Sequence, residues 1–313
     1  YITDIITDEA ISFIDREKNK KQPFYLSVHY TAPHSPWIDC HPKKYTDLYE
    51  DCPFETCPQG ETHPWAKTEV LAGYQRPRES LIGYFAAVTA MDDNVGRILK
   101  KLEEENLMED TLIIFSSDNG FNCGHHGIWG KGNGTFPLNM YDSSVKVPLI
   151  MCHKGHIPEN QVCDEMHSGY DFMPTLLEYL GFENDEADEL PGKSFLPALM
   201  GQEHKNEDGR VVVFDEYGPV RMIRSRKYKL VHRYPYGPDE FYDLEADPGE
   251  THNGIEDEQY QDMIQDMKKQ MELWFLQYVD PRIDGAKEPV MGGGQRDLAG
   301  LLGPGINVYG ENI

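Results

Sequence analysis

Apolar positions in the middle of the chain recur every three to four residues: Leu81, Ile82, Phe85, Val88, Met91, Val95, Ile98, Leu99 and Leu102 fall on one stripe of residues 79–106. That period predicts an amphipathic helix of about seven turns, with the Glu103-Glu104-Glu105 run on its solvated side. A shorter helix is predicted near the start, where Thr7 can cap, Asp8 and Glu9 sit at the positive end, and Ala10, Ile11 and Ile14 form the apolar face. Elsewhere the apolar residues come in continuous runs of strand length, at 23–30, 111–115 and 145–151. A long helix followed by such a run is the pattern of a mainly parallel sheet flanked by helices, so the expected class is α/β. Residues 171–180 return to the helical period, with Pro174 in the first turn and Gly181 as the stop.

The pattern changes from Val211 onward. Short apolar segments at 211–214, 220–224, 228–232 and 240–242, separated by turn residues, predict a small antiparallel sheet. A helix over 259–278 follows, with Tyr260, Met263, Ile264, Met267, Met271, Trp274 and Phe275 as its apolar stripe. Connectors at 183–189 and 202–209 precede this change. The expected organisation is therefore an α/β domain over 1–205, a small α+β subdomain over 206–280, and a Gly- and Pro-rich tail over 281–313. Residues 38–77, rich in Pro, Cys, His and charge without any period, read as a long surface loop or insertion in the manner of a lid.

Charge narrows the partners. The chain of 313 residues carries 29 Lys and Arg against 54 Asp and Glu, a formal net charge of −25. A surface this acidic repels nucleic acid and the anionic membrane face, since both require a surplus of basic groups. No apolar run reaches the roughly 18 residues that crossing a membrane takes. The chain starts at Tyr1 without the pattern of a leader, which leaves open whether it is cytoplasmic or exported. Six cysteines, none in a CxxC pair, are too few for a disulfide scaffold. Cys52 and Cys57 are close enough in sequence to bridge or share a metal, and two free thiols in a Pro-rich loop is the preferred reading.

Candidate chemistry gathers at the ends of the predicted strands, where ligand sites of α/β sheets lie. The 23–30 run empties into a loop holding His34 between Pro33 and Pro36, and the 111–115 run exits into Ser116-Ser117-Asp118-Asn119-Gly120. Asp118 and Asn119 offer hard oxygens suited to Ca²⁺ or Mg²⁺, although Asp-Asn-Gly is also a common turn. Six glycines between Gly120 and Gly134 let the backbone approach a ligand closely. Among them Lys131, flanked by Gly130 and Gly132, reads either as a solvated charge or as an ammonium aimed at an anion. His34 and His126 could bind an oxyanion or protonate a leaving oxygen, and adjacent His125 and His126 point different ways, so at most one of the two belongs to the site. His153 and His156 read as a surface turn rather than a zinc pair, and His167 could face a substrate.

Taken in order, Pro33-His34-Ser35-Pro36-Trp37, Ser117-Asp118-Asn119-Gly120, His126-Gly127-Ile128-Trp129-Gly130-Lys131-Gly132, Ser144-Val145-Lys146-Val147-Pro148, Asp171-Phe172-Met173-Pro174-Thr175, Pro191-Gly192-Lys193-Ser194 and the 241–250 segment resemble the sulfatase family of the alkaline phosphatase superfamily. The resemblance covers residues 1 to about 255. It implies an alkaline-phosphatase-like sandwich and hydrolysis of a sulfate ester with bound Ca²⁺, Mg²⁺ being the alternative ion. Asp118 and Asn119 fall at metal-ligand positions; His34 and Lys131 fall at sulfate-binding, catalytic positions; His126 falls in the active-site segment as a substrate-binding residue.

The family's formylglycine nucleophile, made from Cys or Ser in a Cys/Ser-x-Pro-x-Arg motif, is expected upstream of these segments. Cys40-His41-Pro42-Lys43-Lys44 is no substitute, because it ends in Lys and follows the His34 loop. The chain is thus expected to be the C-terminal two-thirds of a sulfatase, to need the N-terminal part of the same enzyme as its partner, and to lack turnover alone. The expected substrate is a sulfated small molecule or sugar. The competing expectations are a phosphate or phosphonate ester hydrolase of the same superfamily, and a non-catalytic module that binds a sulfated ligand.

Overall fold

The structure is a computed structural model that describes residues 1–185, 187–202, 209–215, 218–234 and 237–287. It divides into two compact units, Tyr1–Ile157 and Pro158–Ile313. The expected α/β domain over 1–205 spans this division and remains a proposal about family organisation. Most of the expected tail, and residues 203–208 of the polar connector, lie outside the described residues.

The first unit is built on α1 (Ile2–Glu17), the single turn α2 (Lys43–Thr46) and the long α3 (Pro77–Glu104). Alanines at 86, 87 and 90, together with Gly83, make a smooth strip on α3; at Gly83 a Cβ would sit 2.2 Å from the Trp37 carbonyl oxygen. Helix α1 begins five residues earlier than its expected cap: Thr7 is interior and its hydroxyl donates to the Thr3 carbonyl one turn back, at 3.0 Å. A buried threonine in mid-helix satisfies its hydroxyl in this way, which is why it mimics a cap in sequence. At their C-terminal ends α1 and α3 are joined by a four-membered charge cluster, in which Lys101 bonds Asp15 at 2.7 Å and Glu105 at 2.6 Å, and Lys18 bonds the same two carboxylates.

Strand β1 (Ile113–Ser116) is followed by a two-residue hairpin of β2 (Asn122–Cys123) and β3 (Trp129–Gly130), the turn α4 (Asp142–Val145), and β4 (Leu149–Cys152). β1 and β4 pair antiparallel, with Ile113 opposite Cys152 and Ser116 opposite Leu149. The parallel pairing expected from the helix-then-strand pattern is therefore absent among the described residues, where every strand pair is antiparallel. The chain turns back through the Gly-rich hairpin instead of crossing over a helix, so β4 returns against β1 in the opposite sense. Residues 23–30, expected as a buried strand, run without a ladder and alternate between half-buried and exposed, Tyr25 being 85% exposed.

In the second unit the helix expected over 171–180 and the antiparallel strands and helix expected after Val211 are present. Helix α5 (Gly169–Leu180) opens with a capping box in which the Ser168 side chain accepts from the Asp171 backbone and Asp171 accepts from the Ser168 N–H at 2.7 Å; Gly181 ends it at φ 74°. After α6 (Leu196–Leu199) come β5 (Arg210–Phe214), β6 (Val220–Ser225), β7 (Tyr228–Arg233) and β8 (Glu240–Asp243), a four-stranded antiparallel meander in sequence order. One face lays Val212, Ile223, Leu230 and Phe241 against Ile264, Met267, Met271 and Phe275 of α7 (Gln261–Tyr278). Alternate strand positions and a helical stripe at three-to-four spacing thus close one apolar core. Among the described residues no helix is long and apolar enough to cross a membrane.

Candidate functional site

The exit of β1 and the segment after β3 meet. Lys131 Nζ lies 4.0 Å from Asp118 Oδ2, with the lysine side chain 42% and the aspartate 83% exposed. Asp118 is oriented from its own turn: Oδ1 accepts from the Asn119 N–H at 3.0 Å, while the Ser117 hydroxyl donates to the Asn119 carbonyl at 3.0 Å. One oxygen of the carboxylate is thereby fixed by the turn and the other faces the ammonium. The turn reading of Asp-Asn-Gly holds at this position, and the turn aims the Asp118 side chain.

Lys131 is positioned by buried polar residues that the sequence did not single out. Asn139, 1% exposed, donates from Nδ2 to the carbonyls of Lys131 at 3.1 Å and Gly132 at 3.2 Å. Its Oδ1 accepts from the Ser144 hydroxyl at 2.6 Å, and Ser144 Oγ in turn accepts from Asn122 Nδ2 at 2.7 Å. Asn122 also donates to the Gly130 carbonyl at 2.9 Å. The network clamps both sides of Lys131 and ties them to α4, whose Ser144 carbonyl accepts from the Gly120 N–H at 2.9 Å. Buried asparagines at 122 and 139, close to a glycine run, were the available signal; in a polar loop they look like ordinary turn residues.

Residues 56–67 of the predicted insertion lie along the Gly-rich segment as a strap. The His63 N–H donates to the Gly127 carbonyl at 3.1 Å, Lys67 N–H to Gly134 at 2.9 Å, and Phe136 N–H to Trp65 at 2.9 Å. Two glycines make room for it. A Cβ on Gly127 would stand 1.9 Å from the Glu61 carbonyl oxygen, and one on Gly124 would meet the Gln59 side chain at 2.1 Å. Close approach, expected for a ligand, is used here by the protein's own backbone.

The two adjacent histidines find different partners, through a 3₁₀ turn at His125–Gly127 rather than through the alternation of an extended segment. His125 Nε2 bonds the Thr56 carbonyl of the strap at 2.8 Å. His126, in left-handed backbone at φ 54°, lays its ring on that of Tyr141 with centroids 3.7 Å apart and planes 7° from parallel. The Tyr141 hydroxyl lies 3.5 Å from His63 Nε2, so the strap reaches His126 through one aromatic ring.

His34 is exposed, and its Nδ1 is 2.8 Å from the carbonyl oxygen of Ser35. Its loop is anchored by Trp37, 3% exposed, whose indole N–H donates to the Pro33 carbonyl at 2.7 Å and whose ring packs against Trp129 and Phe121 at 5.7 and 5.5 Å. The His34 loop and the Lys131 segment thus share one aromatic cluster, while no direct bond joins His34 to Lys131 or Asp118 among the described residues.

Of the other histidines, His153 and His156 stack on each other at 4.1 Å and His167 packs on Phe195 at 4.5 Å. Among the described residues no group of three or more His, Cys, Asp or Glu is arranged to hold a metal. Asp118 and Asn119 fit part of a calcium shell by donor chemistry, an exposed carboxylate and an amide oxygen on one turn, against the six to eight oxygens that Ca²⁺ takes.

A family model described as Sulfatase matches residues 1–182, more than half of the chain and all of the segment that holds these residues. The chain belongs to the sulfatase family. A second model, described as N-sulphoglucosamine sulphohydrolase, C-terminal, matches residues 124–275. Among curated sulfatases, the choline-sulfatase of Rhizobium meliloti is 30% identical over 272 residues, covering 79% of this chain and 51% of that protein. The N-acetylglucosamine-6-O-sulfatase of Bacteroides thetaiotaomicron is 26% identical over 375 residues, covering 95% and 65%.

The chain therefore spans about half to two thirds of the length of these sulfatases. A protein solved with its substrate D-glucosamine-2-N,6-O-disulfate superposes at a TM-score of 0.75 with 23% identity, covering 92% of this chain and 72% of that one. The phosphonate monoester hydrolase of Silicibacter pomeroyi superposes at 0.74 with 21% identity, covering 89% and 60%. Both are likenesses of fold, and they make the α/β architecture of the chain alkaline-phosphatase-like.

Proposed function

We propose that this sulfatase chain carries the anion-binding half of a calcium-dependent sulfuric ester hydrolase acting on a sulfated carbohydrate. The reading rests above all on the 4.0 Å approach of Lys131 to Asp118 at a strand exit in a chain of this family. Lys131 Nζ binds sulfuryl oxygens from a main chain fixed by Asn139 and Asn122. His34, exposed at the mouth of its loop, binds a sulfuryl oxygen and donates a proton to the departing alkoxide. His126 presents an imidazole edge beside the same anion while Tyr141 supports its face. Asp118 and Asn119 would hold part of a Ca²⁺ shell, and such an ion would supply Lewis-acid stabilisation of charge on the sulfuryl oxygens. The nucleophile, a formylglycine, comes from residues outside the 313.

A phosphonate or phosphate ester hydrolase is the second reading, favoured by the likeness of fold to a phosphonate monoester hydrolase. The two are separated by assaying this chain within a protein that carries the nucleophile, on matched aryl sulfate, phosphate and phosphonate esters, with Ca²⁺ and after chelation. Sulfate release that exceeds the other two and falls on chelation is expected. Preferential release of phosphate or phosphonate transfers the assignment to the second reading, and tight binding of the sulfated sugar without turnover identifies a non-catalytic binding module.

A further inference from the structure

Two thiols that this chemistry leaves unused face each other behind the Gly-rich segment. Cys57 belongs to the strap and Cys123 ends β2, immediately before Gly124 and the two histidines. Both are buried, 7% and 3% exposed, in one apolar cluster with Trp37, Phe54, Leu81 and Trp129. The side chain of Gln59 fastens their backbones together: its Nε2 donates to the Cys57 carbonyl at 2.9 Å and to the Cys123 carbonyl at 2.7 Å. Two carbonyl oxygens within reach of one nitrogen place the residues side by side in the same apolar cluster. Cys52 and Cys57 are free thiols, as expected, and the neighbour of Cys57 comes from a part of the chain far away in sequence.

We propose that Cys57 and Cys123 form a reversible disulfide that clamps residues 56–67 onto the segment carrying His126 and Lys131. The neighbouring Cys123 holds the Cys57 thiol below the usual range, while Cys57, with burial, pushes Cys123 up. Cys57 is accordingly the attacking thiol. As thiolate it displaces one sulfur of a low-molecular-weight disulfide, giving a mixed disulfide and one small thiolate. Cys123 then attacks the Cys57 sulfur and expels the second small thiolate; the proton of Cys123 and the one Cys57 lost to water on ionising protonate the two released thiolates. Two protein thiols are oxidised and one small disulfide is reduced to two thiols. Burial makes entry of the oxidant slow and shields the bond once formed. Cys52, half-buried against the same cluster, is the competing partner.

Oxidised glutathione is the probe. The protein is equilibrated with it, its remaining thiols are alkylated, and non-reducing peptide mapping identifies the linkage. The expected result is a Cys57–Cys123 peptide that disappears with dithiothreitol, with a midpoint of thermal unfolding raised by about 5 °C or more over the reduced protein. Cys52→Ser should leave both results in place, whereas Cys57→Ser and Cys123→Ser each abolish them. A Cys52–Cys57 peptide, glutathione adducts without a cross-link, or complete alkylation of all six cysteines after equilibration overturns the proposal. Since the map is made on the unsubstituted protein, a variant that fails to fold leaves the answer unaffected.

Discussion

The imidazole of His126 lies flat on the phenol ring of Tyr141, 3.7 Å between centroids, although its own backbone stands at φ 54°, where a β-carbon is disfavoured. A histidine kept in left-handed conformation at a cost of about 1 kcal/mol is retained for its side chain rather than its backbone. His126→Gly should therefore change unfolding free energy by less than about 1 kcal/mol, since relief of strain offsets the lost stack, while turnover falls at least tenfold or so. Tyr141→Phe keeps the ring and should stay near the parent; Tyr141→Ala should raise KM. Chemical denaturation beside steady-state kinetics checks this. Parent-like turnover of His126→Gly would remove the imidazole from the site.

Lys131 contributes charge to the site and little to the fold. With its side chain 42% exposed and its main chain held by asparagines, Lys131→Ala should melt within a degree or two of the parent while kcat/KM falls by roughly 10²-fold or more. Lys131→Arg should recover part of the loss. A variant that melts early or turns over normally contradicts this assignment.

Asn139 separates positioning from binding. Asn139→Leu removes one donor from each of the Lys131 and Gly132 carbonyls, which keep the Gly134 and residue-139 N–H groups, and takes the acceptor from the buried Ser144 hydroxyl, a cost of about 1–3 kcal/mol. Because the freed loop includes Lys131, KM for the sulfate ester should rise as well. Urea titration with kinetics on the surviving folded fraction is the measurement, and unchanged KM would mean that the network supports only the fold.

What the sequence disclosed and what it hid divide along a physical line. The β5–β8 sheet and α7 were legible because Val212, Ile223, Leu230 and Phe241 alternate and Ile264, Met267, Met271 and Phe275 recur at helical spacing, so one local period determines one face. Residues 23–30 have the composition of a strand, yet a ladder needs a neighbour, and composition does not supply one. In the site, Lys131 and Asp118 stood out by setting. Asn122, Asn139 and Ser144 did not, since their role comes from contacts made only after the hairpin closes. Gly124 and Gly127 signalled close approach correctly, but whether a ligand or the strap approaches is decided by tertiary structure.

The charge cluster between α1 and α3 predicts an acid limit for the first unit. Hydrogen bonds from Lys101, then Lys18, hold the carboxyls of Asp15 and Glu105 below their ordinary values. For an acid with a depressed folded pKa, the contribution to stability is complete above the unfolded value, near pH 4, and is lost as pH falls through the folded one. Glu105→Gln should move the acid-unfolding midpoint upward in low salt. In about 1 M salt the difference should shrink, because exposed charges are screened within a few ångströms. Circular dichroism against pH in the two salts decides it, and identical midpoints in low salt would show the cluster to be idle.

Lys229 is completely buried in β7, and its ammonium donates to Glu250 Oε1 at 2.5 Å, that residue being 3% exposed. This acceptor lies at the end of the 241–250 segment and gives the buried lysine of a central strand a counter-charge. Removing either partner takes a charge-assisted bond from a buried ion, so Lys229→Met and Glu250→Gln should each destabilise the second unit by about 3–5 kcal/mol. The double variant removes charge and counter-charge together and should cost clearly less than the two losses added, with a coupling energy above about 1 kcal/mol. Equilibrium urea unfolding of the four proteins measures that coupling. Strict additivity would show that the two groups act independently, and that the strand tolerates the lysine for a reason other than Glu250.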